Sequence, residues 1–138
     1  MNPLLVVGGI ILNEAGQILL AQRPQGKRLA GFWEFPGGKV EDGESLDSAL
    51  QRELMEELNL KVEVLDDIGR FTHAYEWGVI ELQVFAVRAL NTPSLTPDVQ
   101  AIRWLNPTEI ETATLAPADL PALNEYRRRI SSTGPLVR

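Results

Sequence analysis

Residues 46–58 constrain this chain most, because Leu46, Leu50, Leu54 and Leu58 recur at every fourth position with Ala49 beside them, the apolar stripe of a helix packed on a core. Ser45 in front can take a free N–H of the first turn as N-cap, and Asn59 behind suits a left-handed stop. On a wheel of about 100° per residue, Glu53, Glu56 and Glu57 fall within an arc of roughly 100° that overlaps the edge of the leucine row. These acids are not a freely solvated face. Carboxylates spaced i, i+3, i+4 repel one another, so something positive must compensate. A hard divalent cation, Mg²⁺ or Mn²⁺, takes oxygen ligands and leaves positions for water and phosphates. Ion pairs with Arg52 and Lys39 are the alternative compensation.

The helix is entered from a glycine-rich loop, residues 36–44, in which Gly37, Gly38 and Gly43 free the backbone to approach a ligand. A loop leading into a helix N-terminus is also suited to anions. Loop and helix together give a fixed string: Gly38, five residues, Glu44, seven residues, then Arg52-Glu53-Leu54-Met55-Glu56-Glu57-Leu58-Asn59-Leu60. That string resembles the signature of the Nudix hydrolases. The one departure is Asn59, which stands where that family has glycine. Asparagine also visits the left-handed region readily, so the helix stop is expected to survive.

The remaining chain reads in order as an α+β pattern. Leu4 to Leu12 is a buried strand, residues 13–16 a turn and residues 17–22 a second strand, together a hairpin. Residues 23–28 form a basic loop carrying Arg23, Lys27 and Arg28, suited to phosphate in an otherwise acidic chain of net charge −6. An aromatic cluster follows in Phe32, Trp33 and Phe35, with Phe35 the candidate stacking surface. Beyond the helix, residues 61–65 read as a short strand, Asp66-Asp67 as a turn, and residues 68–75 and 79–90 as longer strands joined around Glu76-Trp77-Gly78. A last strand is expected at 100–105, a short helix at 107–112 capped by Asn106, and a closing helix at 119–131 with Pro121 in its first turn. The single histidine, His73, reads as a strand residue, and residues 132–138 as a loose tail.

At 138 residues the expectation is one domain over 1–138. The absence of cysteine excludes disulfides and thiolate metal sites. The acidic balance argues against an extended nucleic-acid surface. No basic n-region opens the sequence and no apolar run approaches the roughly 18 residues of a membrane span, so a cytoplasmic protein is expected, as monomer or homodimer.

The resemblance implies an α/β/α sandwich around a mixed sheet. It extends to residues 7–11, 19–23 and 31–39 and to Leu115-Ala116-Pro117-Ala118-Asp119-Leu120-Pro121, which look like the MutT-like branch, whose members sanitise nucleotide pools by cutting oxidised or modified nucleoside triphosphates to monophosphate and pyrophosphate. By that resemblance Glu53, Glu56 and Glu57, joined by a carbonyl of Gly37 or Gly38, would hold Mg²⁺, with Mn²⁺ as substitute. Glu44 and Arg52 would orient those ligands, and Asp98 would be an additional ligand or the base. Arg23, Arg28 and Lys39 would steady the phosphates of a small-molecule nucleotide, and Phe35 and Asp119 would frame the base. A nucleotide sugar, a dinucleoside polyphosphate or the triphosphate end of RNA are alternative substrates. A non-catalytic nucleotide-binding module is the rival of a different class, and the full set of signature carboxylates speaks against it.

Overall fold

The computed structural model describes residues 2–133; of the loose tail expected at 132–138, Ser132 and Thr133 belong to the closing helix and residues 134–138 lie outside the described part. One mixed sheet runs through the molecule. Its strands are β1 (Leu4–Leu12), β2 (Ile18–Gln22), β3 (Trp33–Glu34), β4 (Gly37–Lys39), β5 (Val62–Tyr75), β6 (Gly78–Ala89) and β7 (Ala101–Leu105), with helices α1 (Leu46–Leu58) and α2 (Leu120–Thr133). The path β3-β2-β1-β6-β5 is extended by β4 on β1 and β7 on β2. β1 and β6 pair in parallel from Leu4↔Ile80 to Leu12↔Arg88, and the other pairs are antiparallel.

β1 is an unbroken apolar run because both of its faces are covered. Val7 and Ile11 point towards α1, where they meet Leu19, Phe85, Val87 and the stripe Ala49, Leu50, Leu54 and Leu58. Ile10 and Leu12 point the other way, to Leu82, Val84 and, on α2, Leu123 and Tyr126. The sheet is thus sandwiched between the two helices, as the resemblance implies. Leu50, Leu54 and Leu58 are fully buried, and each such side chain contributes about 1.5–3 kcal/mol.

α1 begins and ends where its local chemistry dictates. Ser45 accepts the Ser48 N–H at 3.2 Å, and Asn59 sits at φ 50°, ψ 37°. The Leu60 N–H returns to the Leu54 carbonyl at 3.2 Å, so a left-handed asparagine closes the helix as glycine would.

Four expectations need correction. Gly37–Lys39 is a short strand on the near half of β1, with Gly8↔Gly37 and Val7↔Gly38, where a loop was expected. Asp66-Asp67 is no turn: β5 runs through it and absorbs the two acids with register shifts between Val64 and Asp66 and between Asp67 and Gly69. Such bulges suit a strand with one free edge. The short helix at 107–112 is two separate 3-10 turns, Pro107–Glu109 and Thr112–Thr114, the first closed by a capping box between Asn106 and Glu109. Asp119 closes a third such turn, Pro117–Asp119, and α2 starts one residue later and extends to Thr133.

Candidate active site

β4 decides where the acids of α1 lie. Gly37 needs to be glycine because a Cβ there would run into the Val7 carbonyl of β1, and at Gly38 a Cβ would fall on the carboxylate of Glu53. Backbone and carboxylate are therefore in direct apposition. The backbone of Gly37 lies close enough to Glu57 to favour its ionised form slightly. Burial and the charges of Glu53, Glu34 and Asp98 push the Glu57 carboxyl up to about 8, and burial raises Glu53 in the same direction.

Arg52 is the internal counter-charge. Its Nε and Nη2 grip the two oxygens of Glu44 at 2.7 and 3.0 Å, Nη1 reaches Glu53 at 3.0 Å and Glu56 at 3.3 Å, and Nη2 also donates to the Lys39 carbonyl at 3.0 Å. The fork and the Glu41 N–H, which donates to Glu44 at 2.9 Å, pull the Glu44 carboxyl down to about 2. Glu44 is absent from the cavity wall, and Glu56 reaches it with a side chain 59% exposed.

Among the described residues no group of three or more carboxylate or imidazole side chains is drawn together to hold a metal ion. The donor chemistry nonetheless fits a hard divalent cation. Glu53 lies against the Gly38 backbone and Glu57 lines the same edge, both with oxygen donors only, and the burial and neighbouring negative charge that raise Glu57 are what a cation would offset.

Asp98 is exposed and outside the cavity wall. It acts on the site through its charge on Glu57. The loop before it is docked on the end of α1, where the Ser94 N–H and the Thr96 hydroxyl satisfy the Leu58 and Glu57 carbonyls at 2.8 and 2.7 Å.

From this carboxylate edge a cavity of about 770 Å³ extends across the N-terminal half of β1. Arg23, Lys27, Arg28 and Lys39 line it. Arg23 pairs with Glu34 at 3.0 Å and its Nε donates to the Arg28 carbonyl at 2.6 Å, which folds the basic loop back on itself. Glu34 and Asp119 both line the cavity. Burial is the first cause that raises both carboxyls, and mutual repulsion adds to it for Asp119. The Asp119 carboxylate accepts the Phe35 N–H at 2.8 Å, and the Tyr75 hydroxyl accepts the Ala118 N–H at 3.0 Å.

Phe35 does not present the open ring expected of a stacking surface. It lines the cavity but is 4% exposed and belongs to the core under α2. The open aromatic surface is instead Trp77, 37% exposed and stacked on Tyr75 with ring centres 5.1 Å apart and planes 8° from parallel. Sequence reasoning missed Trp77, Tyr75 and Glu34 as cavity residues. The available signal was an indole in the two-residue tip of a hairpin, where no core can claim it.

A family model described as NUDIX domain matches residues 7–125. The CTP pyrophosphohydrolase of Escherichia coli is 39% identical over 126 residues, covering 91% of this chain and 93% of its own. The 8-oxo-dGTP diphosphatase of Proteus vulgaris is 38% identical over 82 residues, covering 59% of this chain and 73% of its own. Among solved structures, the E. coli ORF135 protein superposes with a TM-score of 0.82 at 38% identity, covering 98% of this chain and 95% of that one.

Proposed function

This chain belongs to the Nudix hydrolase family, and on that premise we propose that it hydrolyses nucleoside triphosphates, normal or oxidised, to monophosphate and pyrophosphate. Relatives named for CTP and for 8-oxo-dGTP support the triphosphate class. Membership carries the family's general need for a divalent metal, and we propose Mg²⁺, with Mn²⁺ able to replace it. We further read the whole of 1–138 as one such domain in the cytoplasm. No helix of the described residues is long and apolar enough to cross a membrane.

In this reading Glu53, Glu56 and Glu57, with a backbone carbonyl of Gly37 or Gly38, hold the metal. Glu56 must turn from Arg52 to take part. The bound metal neutralises phosphate charge and makes water a better nucleophile. Arg52, fixed by Glu44, orients Glu53 and so keeps a donor aimed while the metal exchanges. Asp98 is assigned an outer role, raising the proton affinity of Glu57 through its charge. Arg23, Lys27, Arg28 and Lys39 bind and align the phosphates, which is most of what phosphoryl transfer asks of a protein. Glu34 and Asp119 form the polar floor that selects the base, and Trp77 replaces Phe35 as the surface on which it stacks.

The observation that carries the reading is the cavity itself, which joins a carboxylate edge, a set of cations and a polar floor in one continuous space. Incubating the protein with Mg²⁺ and a panel of nucleoside triphosphates, oxidised and methylated ones included, tests it. Pyrophosphate should appear in step with monophosphate. Release of orthophosphate alone, or turnover confined to nucleotide sugars or dinucleoside polyphosphates, overturns it.

A further inference from the structure

The loop after β2 and the tip of the β5–β6 hairpin both line the cavity, and a side-chain contact joins them. The Arg28 guanidinium carbon lies 4.3 Å from the centre of the Trp77 ring. Tyr75 stacks on that same indole, so two neighbours share its surface. A base that stacks on the part of the indole beneath Arg28 has to displace the guanidinium.

Arg28 is not held firmly. Its side chain is exposed and rests on the indole. The backbone around it is fixed by other means: the Arg23 Nε bond to the Arg28 carbonyl, the Phe32 N–H to the Leu29 carbonyl at 3.0 Å, and the Gly31 N–H to the Arg23 carbonyl at 3.0 Å. Leu29, directly after Arg28, sits at φ 59°, a left-handed conformation that costs a leucine energy. A loop that keeps such strain is over-determined by its surroundings, so the side chain of Arg28 can swing while its backbone stays put.

Resting on the nucleotide reading above, we propose that Arg28 and Trp77 form a phosphate-responsive clasp that determines which nucleotides the site retains. The polyphosphate chain of a triphosphate draws the guanidinium off the indole and frees that face for the base. A charge-assisted bond from arginine to phosphate is stronger than an exposed cation–π contact, so the exchange runs towards phosphate. A monophosphate has fewer oxygens to hold Arg28. The guanidinium then competes with the base for Trp77 and helps expel the product. Arg28 thus acts as an internal competitor that discriminates by phosphate number, and Trp77 is the residue through which it does so.

Calorimetric titration with CMP and dGMP, and with their α,β-methylene triphosphate analogues, in Mg²⁺ buffer tests this directly. Arg28→Ala should bind the better of the two monophosphates about two- to fivefold more tightly, the equivalent of the 0.5–1 kcal/mol of an exposed cation–π contact. It should bind the triphosphate analogue no more tightly than the unaltered protein does, so that selectivity for three phosphates falls. In the Trp77→Ala background the same change at Arg28 should give no gain for the monophosphate, and Arg28→Gln should repeat the Ala result. Monophosphate binding that is unchanged or weaker in Arg28→Ala, or a gain that persists without Trp77, overturns the clasp while leaving the nucleotide reading intact. An unaltered protein that binds none of the four probes overturns both.

Discussion

The carboxylate of Asp119 accepts the backbone N–H of Phe35 at 2.8 Å across 84 positions of sequence. This bond ties the turn before α2 to the link between β3 and β4, and it is made by a carboxyl that burial and Glu34 raise well above its usual range. An acid whose folded pKa is raised keeps its proton in the folded chain after the unfolded chain has lost it. Between the two values the folded state binds more protons, so stability falls as pH rises from about 4. Asp119→Asn keeps an acceptor for Phe35 and removes the charge. Its melting temperature relative to the unaltered protein should therefore be flat below about pH 4 and climb above it. A difference that does not change between pH 4 and 8 would show that Asp119 titrates normally.

The same residue is assigned to base selection, which a different substitution reads. Asp119→Ala leaves the buried Phe35 N–H without its acceptor, at a cost of about 1–3 kcal/mol in stability. It should also lower kcat/KM for the best triphosphate by about 1–3 kcal/mol, the cost of leaving a polar partner in the site unpaired, and flatten the ranking of bases. A variant that melts early yet ranks the triphosphates as before would reduce Asp119 to a structural tie.

Glu57→Gln preserves the shape of a side chain that lines the cavity beside Gly37 and Glu53. It should lower kcat at least about a hundredfold, on the scale known for disturbed metal sites. Mg²⁺ should raise the melting temperature of the unaltered protein by mass action and raise that of the variant far less. EDTA should abolish turnover without changing the circular dichroism spectrum. Near-normal turnover by the variant in saturating Mg²⁺ would remove Glu57 from the ligand set.

Glu44→Gln probes the fork beneath. The uncharged amide cannot match both guanidinium nitrogens of Arg52 as two parallel acceptors, so Arg52 loses the anchor from which it reaches Glu53. A loss of about 10–100-fold in activity or metal affinity is the expected outcome, read by titrating activity against Mg²⁺. Unaltered Mg²⁺ dependence would mean that Glu53 is aimed without Arg52.

What the sequence made legible was local. Ser45, the leucine stripe and Asn59 define α1 by interactions within a few residues, and the helix stands between the expected caps. The Asp66-Asp67 pair misled because two adjacent acids have a turn's composition, whereas an edge strand with bulges accommodates them equally well. Phe35 misled for a different reason. The strand register, Gly37 opposite Gly8, turns its ring into the core under α2, and register is a property of the sheet that no local run encodes. The Arg28–Trp77 contact joins residues far apart in the chain and depends on two connections meeting at one end of the sheet, so composition at either site could not announce it.

Gly37 and Gly38 allow a final separation of fold from chemistry, since they are neighbours whose missing side chains spare different things. A Cβ at position 37 meets the backbone of Val7 and Gly8, which cannot retreat without breaking the pairing of β4 with β1. Gly37→Ala should thus lower the melting temperature sharply, by the several degrees that each kcal/mol is worth in a domain of this size. The atoms nearest a Cβ at position 38 are those of the Glu53 carboxyl, the tip of a flexible side chain. That tip can swing aside, so Gly38→Ala should melt close to the unaltered protein. The swing moves a donor away from the backbone against which it now lies, and misplacing a catalytic donor by about 1 Å costs on the order of a hundredfold in rate. Melting curves and turnover measured together on the two variants should therefore come apart. If Gly38→Ala retains full activity, Glu53 does not need its place against β4, and the metal position proposed at this edge of the cavity is wrong.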